Sequence, residues 1–249
     1  SGYADFPAGN TTNATAQGII SGTVAIHLNA EGMQLDGGVT VPGNSSPVID
    51  GKCIALQTVH IAPNAQLALL SDTLTLQDAD LTNDGTISGS GIIQFMGSNV
   101  SLLSSAGQTL SEVLLTHKQL QLAGDSHLKN TSLSQESNLV LSQYNLFLDD
   151  ASLIADSVNF IVTNDTGRLI RYASSSPVLY PVGIRSDSYT PVTVTNSGNA
   201  ANVKVRVMES VTGNVPETEG NVNRTWLIGD TLQAGLNLSL QMRWNETDE

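Results

Sequence analysis

The sequence predicts an all-β fold, a right-handed parallel β-helix followed by a small β-sandwich, and three observations predict it. Apolar and polar residues alternate in short runs of three to five residues, the period of a strand rather than a helix. The runs recur about every 7–10 residues, a rhythm that suits a coil of three strands repeated along an axis. Aromatic residues make up only 4% of the 249 residues, so the core must be filled by Leu, Ile, Val and Ala. Small aliphatic cores suit stacked architectures, where every layer offers a similar narrow interior.

Residues 1–19 read as an N-terminal segment or cap, and residues 20–172 as the β-helix. The clearest runs are Leu67-Ala68-Leu69, Thr73-Leu74-Thr75-Leu76, Thr86-Ile87-Ser88 and Ile92-Ile93-Gln94-Phe95. Gln119-Leu120-Gln121-Leu122, Asn138-Leu139-Val140-Leu141 and Asn145-Leu146-Phe147-Leu148 continue the series. Asn83-Asp84-Gly85 and Gly124-Asp125-Ser126 separate runs, because Asn and Gly accept positive φ at low cost. Three such strands take about 20–25 residues, which leaves room for about six coils between residues 20 and 160. A Greek-key sandwich is the competing arrangement; the shortness of the strands and the lack of aromatics favour the solenoid.

The rhythm changes near residue 160. Phe160 to Ile170 reads as a hairpin-like pair around a turn, and Ser174-Ser175-Ser176-Pro177 reads as a break. Beyond it the runs lengthen: Tyr189 to Asn196, Asn202 to Met208, Arg224 to Ile228 and Asn237 to Trp244. Both tryptophans lie here, and in a small sandwich at least one belongs to the core. Residues 175–249 are therefore expected to form an Ig-like β-sandwich. Because the last run stops just short of Glu249, the natural polypeptide is expected to continue beyond it.

Charge narrows the partners. A net charge of −13 repels a phosphate backbone, so nucleic acid is not an expected partner. Anionic membrane surfaces are disfavoured for the same reason. No apolar run reaches the roughly 18 residues needed to span a bilayer as a helix, so membrane insertion is not expected. The single cysteine, Cys53, cannot form an intrachain disulfide and lies in an apolar run, where it reads as a small buried hydrophobe. Charged residues are only 13%, and the polar surface is mostly Asn, Ser, Thr, Gln and Gly, a composition that resembles extracellular β-rich proteins.

No nucleophile elbow, zinc-protease helix motif or phosphate-binding glycine loop is present in the sequence. His27, His60, His117 and His127 show no metal-ligand spacing, although adjacent coils could bring His117 near His127. Asp149-Asp150 is the only adjacent acid pair in the presumed β-helix, and it fits a solvated turn. Lys52, Lys118 and Lys129 are the only basic residues before Arg168, a poor supply for binding an acidic sugar. Asp78, Asp80 and Asp84 are the nearest candidates for Ca²⁺, but they match no calcium motif, so solvated turns are expected and no cofactor is. Catalysis is accordingly not expected.

The stretch from Phe160 to Leu169, followed by Tyr180-Pro181-Val182-Gly183, Tyr189-Thr190-Pro191-Val192 and Val222-Asn223-Arg224-Thr225-Trp226, resembles a segment of large exported proteins of Bacteroidetes. Leu81 to Gly91 resembles their β-helical rungs. The resemblance implies a type IX secretion cargo located outside the cell or on the outer-membrane surface. Its implied partners are the secretion and anchoring machinery, with surface glycans or other cell surfaces as further candidates. Many such proteins are adhesins or carry carbohydrate-binding modules, so an adhesin-type segment is expected, with a carbohydrate-binding module or a β-helical polysaccharide-degrading enzyme as the alternative. Asp72-Thr73-Leu74, Asp156-Ser157-Val158 and Asp230-Thr231-Leu232 resemble the O-glycosylation pattern of that group, which makes Thr73, Ser157 and Thr231 candidate acceptors.

Overall fold

A three-residue strand offers too few hydrogen bonds to stand alone, so such strands persist only when stacked. The computed structural model displays that stacking. It describes residues 2–5, 18–19, 24–27, 33–35, 38–106, 108–116, 119–148, 152–163, 165–209, 222–230 and 235–245. None of these residues is helical. The chain winds into a β-solenoid of about 7 turns, built on three parallel sheets that we number as faces.

Face 1 carries Gly2–Asp5, Val24–His27, Val48–Asp50, Gln66–Leu69 and Thr86–Ser88. Face 2 carries Met33–Leu35, Cys53–Ala55, Thr73–Gln77, Ile92–Met96, Thr109–Thr116, Ser126–Ser134, Leu146–Leu148 and Leu169–Ala173. Face 3 runs from Gly18–Ile19 through Val39–Val41, Val59–Ile61, Leu81–Asn83, Ser101–Ser104, Gln119–Leu122, Asn138–Val140 and Phe160–Val162 to Val182–Arg185. Each strand pairs in parallel with the strand one coil on: Val59 opposes Leu81, which opposes Leu103, so a coil here takes 22 residues.

Because side chains alternate across a strand, this register stacks like on like. Ala55, Leu76, Phe95, Leu115 and Leu133 form one buried ladder inside face 2. Val39, Val59, Leu81 and Leu103 form another inside face 3. Cys53 stands in the neighbouring ladder with Leu74 and Ile93, and burial pushes its thiol pKa up to about 12. It is therefore an inert core residue, as the sequence predicts.

Two strands depart from the triplet pattern. Thr109–Thr116 and Ser126–Ser134 are eight and nine residues long. Their inward residues slip phase, from Leu110 to Val113 and from Leu128 to Thr131, so each strand shifts which residues face inside, and the Thr131 hydroxyl is buried at the slip. Glu112 and Asn130 occupy the slip, where the Asn130 amide donates to the Glu112 carboxylate. Face 1 ends before these strands, at Thr86–Ser88.

The predicted hairpin at Phe160 to Ile170 is not formed. Phe160–Val162 pairs in parallel with Asn138–Val140 on face 3, and Leu169–Ala173 pairs in parallel with Leu146–Leu148 on face 2. The turn between them is a solenoid corner. Gly167 sits in that corner because a Cβ there would lie 2.1 Å from the Tyr144 carbonyl oxygen. The periodicity of two short strands around a turn is the same in a hairpin and a corner, so sequence alone could not separate them.

Antiparallel pairing begins past residue 173. Ala201–Met208 pairs with Leu169–Ala173, the last parallel strand of face 2, and Thr225–Asp230 pairs with Ala201–Met208. A separate three-stranded sheet places Val192–Asn196 between Val178–Tyr180 and Leu238–Met242. Tyr180 ties the two layers: its buried hydroxyl lies 3.0 Å from the carbonyl oxygens of both Arg171 and Val203, and its single O–H is shared between them. Leucines of the coils and Val192, Val194, Val203, Val205 and Val207 belong to one continuous core. The ladders of faces 2 and 3 thus run across residues 172–175, where the sequence suggests a boundary.

Candidate functional site

Phe160, Gly183, Tyr189, Arg224 and Trp226 are spread over more than 60 residues of chain, and the fold brings them together. Face 3 ends at Val182–Arg185, and Ser188–Tyr189 folds back on it. Tyr189 covers Phe160, with ring centroids 5.2 Å apart. With Val140 and Val162 these residues form a small apolar cluster separate from the main core. Arg224 is buried beside this hairpin, with one guanidinium nitrogen 3.4 Å from the Ser188 hydroxyl and another donating to the Asn223 carbonyl at 2.6 Å. The Trp226 indole N–H donates to the Thr190 carbonyl at 3.1 Å. Trp226 is half-buried against the core, whereas Trp244 is exposed. The motif residues therefore fasten the solenoid end to the antiparallel strands. Burial raises the Tyr189 phenol pKa, as does the nearby Asp156 carboxylate, while Arg243 opposes the shift.

Two of the aspartates considered for Ca²⁺, Asp78 and Asp80, serve as turn locks. Asp78 accepts the Asn99 backbone N–H and Asp80 the Leu102 N–H, both at 2.8 Å across one coil. Asp125 accepts the Asn145 N–H at 2.7 Å in the same way. Asp84 faces His60 at 3.2 Å, both side chains more than a third exposed. Among the described residues no group of three His, Cys, Asp or Glu is placed to hold a metal. Asp149, Asp150, His117, Lys118 and Thr231 lie outside the described residues, as does the side chain of His27. His127 stacks flat on Phe147, with centroids 4.2 Å apart and planes at 2°.

The locks give a measurable expectation. Replacing Asp125 with alanine frees an exposed turn of charge-assisted bonds and should cost about 1 kcal/mol. A denaturation midpoint unchanged within error would show that the turn holds without its carboxylate.

Among the described residues, two open concavities stand out. One, of about 540 Å³, lies at the solenoid end between Asp165, Thr166, Arg206 and Glu209. The other, of about 390 Å³, lies on the outer side of face 2 where the long strands turn; Ile92, Glu112, Asn130 and Ile154 line it. Sequence reading missed the second, because Glu112 and Asn130 are 18 residues apart and meet only through the coil register. The signal available in sequence was the phase slip at both positions.

The two candidate acceptors among the described residues differ in placement. Ser157 is exposed in a turn closed by Asp156, whose carboxylate accepts the backbone N–H of Val158 at 2.9 Å and two N–H groups of Asn159. These bonds, that of Val158 foremost, hold the Asp156 pKa below its usual value. Thr73 is half-buried within a face 2 strand, opposite Ile92.

No protein-family model matches the chain, and no curated protein or solved structure matches it. The chain is a β-solenoid protein on the evidence of its own strand register.

Proposed function

We propose that this chain is a structural or adhesive segment of an exported bacterial surface protein, a rigid spacer that carries attachment surfaces away from the cell. The observation that carries the reading is the continuous core, which joins the coils to the antiparallel strands in one apolar cluster. Such a rod does not hinge at the junction, because bending it would expose buried leucine and valine. The turn locks support the same reading. The type IX secretion route and the extracellular or outer-membrane location rest on the sequence elements gathered at the junction. The test is protease shaving of intact cells of the source organism, followed by mass spectrometry. Peptides of this chain should be released from intact cells; recovery only after lysis would overturn the reading.

Of the two described acceptors, Ser157 is the better placed for O-glycosylation under this reading, since its side chain is exposed whereas that of Thr73 is half-buried. The native protein should carry sugar mass, and Ser157→Ala should lose at least one glycan from the intact mass. A native mass equal to that of the bare sequence would sink the assignment.

The face 2 concavity favours a second reading, a carbohydrate-binding module. It pairs an amide and a carboxylate with aliphatic walls, the mixture that orients a neutral sugar. A glycan array discriminates the two readings. Binding that is lost in Asn130→Ala would favour the module, and turnover of a bound glycan would favour an enzyme.

A further inference from the structure

The three-stranded antiparallel sheet treats its two edges differently. Val178–Tyr180, at one edge, is three residues long and flanked by Pro177 and Pro181. The Arg171 guanidinium donates to its Leu179 carbonyl. Short length, proline and occupied carbonyls are the usual guards against unwanted strand pairing. Leu238–Met242, at the other edge, has none of them. It is five residues long, reads Leu-Ser-Leu-Gln-Met, and contains neither charge nor proline. One side of it pairs with Val192–Asn196, and among the described residues no strand pairs with the other side.

Burial falls sharply across this sheet. Val194 is fully buried, whereas Leu240, its ladder partner on the same core-facing side, is 39% exposed. Leu238 and Met242 on that side are only partly buried. A core-facing row left open at an unguarded edge fits one more strand.

We infer that the occupant is the same edge of a second copy of this chain, paired antiparallel about Leu240 to make a continuous six-stranded sheet. A two-fold interface must be self-complementary, and this strand is. Centring on Leu240 sets Leu238 against Met242 of the second copy and Ser239 against Gln241. Arg243 then faces Asn237 and not its own symmetry mate, so no like charges meet although the chain carries a net charge of −13.

Sedimentation equilibrium of the intact 249-residue chain tests this, with Ser239 and Gln241 as handles because both are exposed. The wild-type chain should dimerise reversibly. The variant S239E/Q241E sets glutamates against each other and should raise the dissociation constant roughly tenfold or more. The variant S239K/Q241K should do the same, and mixing the two variants should restore a heterodimer. Unchanged circular dichroism of each variant alone shows that folding is intact. A wild-type chain that stays monomeric would overturn the proposal. So would a dimer indifferent to both variants, or charge variants that fail to recombine.

Discussion

Phe95→Ala is expected to destabilise the solenoid by about 3–5 kcal/mol, the range for truncating a fully buried phenylalanine. Phe95 has no exposed surface, and it stands in the ladder between Leu76 below and Leu115 above. Ala55 occupies the same ladder two coils before it, so the column has no spare bulk to move into the gap. A solenoid coil touches only its neighbours, so the loss stays local. Hydrogen exchange should therefore accelerate most in Thr73–Gln77, Ile92–Met96 and Thr109–Thr116 and least in the antiparallel strands. Ile154→Ala is the matched control: this residue is 62% exposed and should cost less than about 0.5 kcal/mol. Equal effects from the two substitutions would mean that the ladder is not the core.

The short strands were legible in the sequence because apolar residues recur there in short alternating runs. Thr73 to Leu76, Thr86 to Ser88 and Gln119 to Leu122 are strands where the alternation places them. The long strands were not legible. Leu110, Val113 and Leu115 break the period of two at Glu112, and a broken period reads as two strands or none. Only the pairing with Leu128, Thr131 and Leu133 one coil on shows that both strands slip together and bend as a unit. The junction was half legible. The motif residues from Tyr180 to Trp226 stood out only by resemblance, and contacts across 36 residues, such as Trp226 to Thr190 and Arg224 to Ser188, carry no local periodicity. The face 2 concavity failed for the same reason, since register between coils is not written in either strand alone.

Gly183 gives the sharpest test of the junction. A Cβ built there would lie 2.2 Å from the Ser188 carbonyl oxygen and 2.5 Å from the Phe160 ring. Neither neighbour can swing aside: one is backbone in the returning hairpin, and the other is a ring with no exposed surface. Gly183→Ala must therefore push Ser188–Tyr189 off face 3, and with it the contacts of Arg224 and Trp226. The expected cost is about 3 kcal/mol or more, the upper range for overpacking. Gly229 supplies the contrast within the same fold. Its Cβ would meet only the Lys204 Cε, at 3.7 Å, in an extended strand. Gly229→Ala should be neutral or stabilise by about 0.4–1 kcal/mol, because alanine restricts the unfolded chain more than glycine does. Urea denaturation of both variants, read by Trp226 fluorescence, decides the matter. If Gly183→Ala unfolds with the wild-type midpoint, the hairpin does not hold the end of the solenoid, and the gathered motif residues must be serving something other than its closure.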